Sequence, residues 1–435
     1  MTVTAGGLNR SINRLAIPAL GTLAIDPLLT LVDTAFVARL GVVDLAGLGI
    51  DTAILGFAFF GFNFLAYATT PLVAQALGRG DEDRARRWVG DALLLAVVLG
   101  ALTLVFLIVL APWLVEVMGA DSAVAESAVS YLRIRALATP AVLLVTAGHG
   151  AFRGYQNTRT PLLVAAVVNG LNLVLDPILI FSLDLGLEGA AIATVIAQFV
   201  GALWFIRLLT KRSMVDRPAD LKRSLPTLMA LGRNGALIAV RTAMILIAFT
   251  FAAATAARIG AAEIAAHQLV MQAWLIAVMF ADAYATAGQA MVGEAVGDGD
   301  SARVDRLSLR LTQWGLAVGV LLAAGFWFGG RALGLLVEDS SVAALAGSAA
   351  VVAGLMMPYS GPLFVADGIF LGLLALGTII VSTASGAFVA VGLMWLTPLG
   401  DTLDGIWWAL SVMMVVRGLV FVATYRRAVS TAVRS

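Results

Sequence analysis

Cysteine is absent from this chain of 435 residues, so neither a disulfide nor a thiolate metal site can form. Histidine is almost as scarce: His149 and His267 stand far apart and make no zinc-binding pattern. Charge is thin as well, at 13% of residues against about 25% in an ordinary soluble domain. A net charge of +1 excludes nucleic acid or another strong polyelectrolyte as a partner. No phosphate-binding G-x-x-x-x-G-K-[ST] loop occurs, which leaves ATP-driven work by this chain alone unsupported. The string GDGD at 297–300 matches the G-x-G-D of intramembrane aspartyl proteases, but lacks the ligand spacing of a calcium loop. Its counterpart GRGD at 78–81 sits in a basic segment, so both read as turns. No catalytic constellation remains, and neither an enzyme nor a cofactor is expected.

Apolar residues fill the space that charge leaves. Hydrophobic residues make up 60% of the chain and mean hydropathy is +0.96. Runs of about 20 apolar residues, each enough to span a bilayer as a helix, recur along the whole length. They fall at roughly 15–37, 46–72, 88–111, 131–152, 161–182, 188–209, 227–256, 264–292, 307–329, 346–371, 373–396 and 405–425. The expected fold is therefore an all-α integral membrane protein with twelve transmembrane helices. The first run continues into the repeat described below, so no cleaved signal peptide is expected.

Positive charge orients these spans. With an even number of crossings both termini share a side, and 21 of the 28 Lys and Arg fall on it. Arg39, Arg133, Arg135, Arg258 and Arg331 lie on the other, while Arg241 and Arg417 fall within spans. Both termini are thus expected in the cytoplasm of a multi-pass protein of the inner, or plasma, membrane.

The chain also repeats itself. ARLGVVDLAG at 38–47 matches ARIGAAEIAA at 257–266, and GRGDEDRAR at 78–86 matches GDGDSARVD at 297–305, both at an offset of 219. Two six-helix lobes follow, 1–210 and 226–435, joined by a polar cytoplasmic linker at 211–225. Six crossings per lobe make the repeat parallel, an arrangement that commonly brackets a substrate cavity.

Two acids do not belong in lipid. Asp33 and Asp176 lie inside apolar runs, where a carboxylate costs ~3 kcal/mol on insertion scales and more on an isolated helix. Asn169, Asn172 and Asp176 are three and four residues apart and share one helical face. Asp26 and Asp33, seven apart, share another, and Thr194 with Gln198 forms a third polar pair. Polar stripes on lipid-embedded helices need one another, because lipid satisfies none of them. Burial and mutual repulsion both favour proton uptake by such carboxyls. A purely structural hydrogen-bonded knot is the alternative. Asp26 precedes Pro27 and can serve the backbone groups freed by that kink, which singles out Asp33.

The stretch GAFRGYQNTRTPLLVAAVVNGLNLVLDPILIFSLDLGLEGAAIATVIAQ resembles the multidrug and toxic compound extrusion (MATE) family, as does LAIPALGTLAIDPLLTLVDTAFVARLG. RNGALIAVRTAM and FADAYATAGQAMVGEAVG resemble its DinF-like branch. The resemblance covers nearly the whole chain and implies a cation-coupled efflux antiporter. It assigns coupling to Asp33, Asn172, Asp176 and Thr194, and a helix bend to Pro18. The coupling ion it implies is a proton, with sodium at the same four residues as the alternative. Asn169, Gln198, Tyr131 and Asp26 are the expected cavity-lining residues. Asn157 stands where the family commonly has Asp, and the basic residues usual after Asp367 are replaced by LLALGTIIVSTASG, which leaves that helix turn unplaced.

In the second lobe, Arg241 and Asp282 are both intramembrane, and a mutual ion pair is the cheapest arrangement. The expected partners are small amphiphilic, often cationic compounds and the lipid bilayer, with the protein acting as a monomer. A flippase for lipid-linked or amphiphilic lipid substrates competes with this reading. It calls for a cationic cavity, which two intramembrane arginines supply poorly.

Overall fold

A computed structural model describes residues 5–216, 221–333 and 337–434; linker positions 217–220 lie outside the described residues. Every regular element among the described residues is helical, as lipid requires of a chain that must satisfy its own backbone. The first lobe's sequence forms α1 (Ala5–Val37), α2 (Val42–Phe60), α3 (Phe64–Gly78), α4 (Glu82–Val117), α5 (Ser122–Ala136), α6 (Thr139–Gly154), α7 (Arg159–Pro177) and α8 (Gly186–Lys211). The second forms α9 (Leu221–Ile259), α10 (Ala261–Gly297), α11 (Ser301–Leu333), α12 (Ser340–Gly372), α13 (Leu376–Leu396) and α14 (Leu403–Arg434). Among the described residues eleven spans are long and apolar enough to cross a bilayer, twelve if α5 and α6, bent by 49° at their junction, count as one span. The chain is a multi-pass membrane protein.

The helices are apolar on the outside as well as the inside. On α4, Leu102, Val105, Val109 and Trp113 are exposed, whereas Gly100, Leu107 and Ala111 are buried. In water that outer face would be a liability; in lipid it is the solvated one.

Polar residues mark the turns between the long helices. Asp81 caps α4 by accepting from the Arg84 backbone N–H at 2.9 Å, and Asp300 caps α11 from Arg303 at 2.8 Å. The preceding residues, Gly80 and Gly299, share a φ of 72°, a left-handed conformation that glycine adopts without strain. The repeat therefore extends to individual turn geometry. The turn left unplaced between the tenth and eleventh spans is Leu373–Ala375, with Leu374 at φ 53°.

The described chain divides into two compact units, one of Gly21–Gly235 and one joining the residues up to Leu20 with Ala236–Ser435. Each takes part of α1, and each takes part of α9. Within the second unit, α11 and α12 approach closely at Gly315, Gly319 and Gly361. A Cβ on Gly361 would lie 2.2 Å from the Gly315 carbonyl oxygen, and one on Gly319 would lie 2.3 Å from that of Met357. This is small-residue packing, which replaces the hydrophobic effect as the cohesive force between helices in lipid.

Candidate functional site

Within the Gly21–Gly235 unit, α7 presents Asn169, Asn172 and Asp176 toward the second half of α1. Asn169 Nδ2 donates to Asp26 Oδ1 at 3.1 Å and to the Ala165 carbonyl at 2.8 Å. One turn on, Asn172 Nδ2 donates to Asp176 Oδ2 at 2.7 Å and to Asp33 Oδ1 at 3.3 Å. The spacing of four between Asn172 and Asp176 makes the first of these bonds possible within a single helix. Pro177 then interrupts α7, and the chain continues as a π-turn over Ile178–Ser182. Such turns often accompany functional sites, because they re-aim the side chains beside them.

Asn172 and Asp176 are each 1% exposed, and Asn172 Oδ1 and Asp176 Oδ1 have no hydrogen-bond partner. The Asp33 and Asp176 carboxyls are within hydrogen-bonding reach of one another. Two carboxylates so placed repel strongly at low dielectric, so the pair is suited to holding a shared proton or a small cation. The free amide and carboxyl oxygens suit either occupant. Among the described residues no group of three or more His, Asp or Glu side chains is arranged to hold a metal ion.

Other expected residues are placed differently. Thr194 donates to the Ala190 carbonyl of its own helix at 3.0 Å and does not bond the cluster. Half-buried Gln198, one turn further along α8, makes no hydrogen bond to it either. Asp26 is exposed, unlike its partner cluster at Asp33. Helix α1 runs on through Pro18, a residue without the N–H that would bond the Arg14 carbonyl. Tyr131 is buried on α5, within hydrogen-bonding reach of Arg135 and close to the charges of Asp33 and Asp51.

Asp51 and Arg135 are the residues that the sequence reading missed. Arg135 belongs to α5 and has a buried Nη1, although its sequence position suggests a loop charge. The signal for Asp51 was available: it is a lone carboxylate within LGIDTAILGF, inside the second apolar run.

The second unit has a charge cluster of its own, and here the expected pairing is corrected. Arg241 forms its ion pair with Asp367 at 2.8 Å rather than with Asp282. Arg417 reaches the same oxygen, Asp367 Oδ2, at 2.7 Å. Helix α12 brings Asp367 between α9 and α14, where one carboxylate meets two guanidinium groups. Asp282 is near enough for its charge to act with both arginines.

Comparisons with known proteins bear on the family and the fold. The profile of the family described as MatE matches residues 18–178 and 237–396, one segment in each repeat. The chain is 32% identical over 432 residues to Protein DETOXIFICATION 44, chloroplastic, of Arabidopsis thaliana, covering 95% of this chain and 81% of that protein. It is 29% identical to DNA damage-inducible protein F of Escherichia coli K12, covering 96% and 92% respectively. Its fold matches that of the Vibrio cholerae MATE transporter VcmN in the bent form, with a TM-score of 0.91, 23% identity and 98% of each chain covered.

Proposed function

From the premise that this chain belongs to the MATE family of membrane transporters, we propose that it is a proton-coupled antiporter exporting amphiphilic, often cationic organic compounds. One observation carries the reading: Asn172 holds two intramembrane carboxyls, Asp33 and Asp176, within reach of each other. A carboxyl pair with one buried and one half-buried member and a bridging amide can take a proton from one side and lose it to the other. The names of relatives, DETOXIFICATION and multidrug resistance protein, support efflux of toxic organic compounds as the direction and cargo.

In the proposed cycle, the outward-open protein takes a proton at Asp33 or Asp176. Neutralisation weakens the hold on a cationic substrate, α1 bends near Pro18, and the substrate leaves. The lobes at 1–210 and 226–435 then rock about the 211–225 linker, and the proton is released inside. One proton exchanged for one monovalent cation moves no net charge, so only the pH gradient drives it. A second proton would add about 2.3 kcal/mol per 100 mV of membrane potential. Residence in the plasma membrane with both termini cytoplasmic is part of this proposal, as is a working monomer. The flippase reading gains nothing from the second unit, where both intramembrane arginines are ion-paired with Asp367.

Substrate-loaded proteoliposomes with a pH gradient and a sodium gradient imposed separately test the proposal. Efflux should follow the pH gradient and fall at least tenfold in Asp33→Asn and Asp176→Asn. Full pH-driven efflux by both variants would end the proton assignment; efflux driven by sodium alone would transfer the site to that ion.

A further inference from the structure

The cluster of Asp33, Asn172 and Asp176 leaves Asp51 without a role. Asp51 lies on α2, three residues after Leu48 and four before Leu55, on the face those residues bury. It is 0% exposed, and neither of its carboxyl oxygens has a hydrogen-bond partner. Leu48, Ile54 and Leu55 of the same helix belong to one buried apolar cluster with Leu132 and Ala136 of α5. A charged carboxylate in such surroundings costs several kcal/mol unless it is paired.

The cation that acts on Asp51 is Arg135, and Arg135 acts on Asp33 as well. Its guanidinium forms no ion pair with either of them here, its Nη1 is buried without a partner, and the Tyr131 hydroxyl is within its reach. A half-buried cation with one buried, unpartnered nitrogen thus stands near two carboxyls and is joined to neither. We infer that Arg135 is a tethered counter-ion that alternates between Asp33 and Asp51, and that Asp51 controls through Arg135 when Asp33 takes up a proton. Arg135 is a positioning residue in this scheme, and so is Asp51.

Simple electrostatics gives the coupling. With Arg135 on Asp33, the ionised form of Asp33 is favoured and a proton is resisted. With Arg135 on Asp51, those two charges cancel, and Asp33 and Asp176 are left to share a proton. Proton entry and the departure of Arg135 therefore promote one another, as thermodynamic linkage requires. The groups facing Asp33 are Asp176 and Asn172 from α7 and Tyr131 and Arg135 from α5. Thr194 of α8 is bonded to its own helix.

The inference rests on Asp33 being a coupling carboxyl, and its test does not use transport. Infrared difference spectra of the full-length protein in nanodiscs, recorded across a pH titration, report protonated carboxyls; the Asp33 band is the one lost in Asp33→Asn. Asp51→Asn should move its midpoint to lower pH by about one unit, because Arg135 has no alternative partner. Arg135→Gln should move it to higher pH, and adding Asp51→Asn to that variant should give no acid shift. Asp51→Glu and Arg135→Lys should stay near wild type, which separates charge from folding if a neutral variant is unstable. Unmoved midpoints in Asp51→Asn and Arg135→Gln would overturn the inference. So would an acid shift from Asp51→Asn that persists without Arg135, or the lack of any Asp33 band. If efflux proves sodium-driven while these shifts hold, the coupling-ion proposal fails and the counter-ion inference stands.

Discussion

The side-chain oxygen of Asn9 accepts a hydrogen bond from Arg310 Nε at 2.6 Å, joining the start of α1 to α11 within one compact unit. Trp314 Nε1 donates to the same oxygen at 3.2 Å, and one turn along Tyr284 donates to Asn13 at 3.0 Å. The Tyr284 and Trp314 rings stack at 5.4 Å beneath this clasp. The clasp holds the first half of α1 to the Ala236–Ser435 unit, while Asp26 and Asp33 on its second half bond α7 in the other unit. Asn9→Ala leaves a charge-assisted donor and an indole N–H unanswered, at a cost of about 1–3 kcal/mol. Amide exchange over residues 5–20 should rise in that variant while exchange in α7 stays unchanged. Equal protection of residues 5–20 in variant and wild type would show that the clasp holds nothing.

Much of this arrangement is written in hydrophobicity and spacing. Apolar runs locate the spans, since nothing else in the chain competes with a bilayer for them. The three-and-four spacing of Asn169, Asn172 and Asp176 predicts one polar face, and the structure brings that face to Asp26 and Asp33. Spacing says which side chains share a face but not which helix the face meets. For that reason Arg241 reads as the partner of Asp282, although α12 carries Asp367 to it instead. For the same reason Thr194 reads as a cluster member, although its hydroxyl turns back to Ala190. Arg135 is hidden differently: its position near a span's end looks like a loop, and only the bent α5–α6 pair puts it inside.

Asp367 should be the most costly single charge to remove from the second unit. It is 4% exposed and accepts from Arg241 and Arg417 through one oxygen. Asp367→Asn leaves Arg417, itself 1% exposed, without its ion-pair partner, a loss of about 3–5 kcal/mol. The purified variant should melt well below wild type. Asp367→Leu combined with Arg417→Met should recover part of that loss, because Asp282 remains near Arg241. A melting temperature unchanged by Asp367→Asn would refute the argument.

The α11–α12 contact makes a prediction about volume alone. Gly361 approaches Gly315 so closely that an added Cβ meets backbone, which cannot rotate away as a flexible side chain can. Gly361→Ala should therefore force the helices apart at a cost of about 1–3 kcal/mol. Gly377→Ala is the control, since a Cβ there meets nothing within 4 Å. The fraction of each variant that is monodisperse after extraction reports the difference. Equal yields would mean that α11 and α12 are not held by close packing at this point.

The start of α12 should respond to acid. Asp339 caps it, accepting from the backbone N–H groups of Ser341 and Val342 at 2.8 and 3.3 Å and from the Ser341 hydroxyl at 2.6 Å. These donors hold its carboxyl below the usual carboxylate range. The sign follows from linkage: a group whose value is lower when folded contributes fully above its unfolded value, about 4, and loses that contribution as pH falls through the folded one. Exchange of the amides of residues 341–343, corrected for intrinsic rates, should therefore accelerate below about pH 4. Asp339→Asn keeps a capping oxygen but cannot titrate, so its exchange should be flat over the same range. Identical acid dependence in the two proteins would remove Asp339 as the cause.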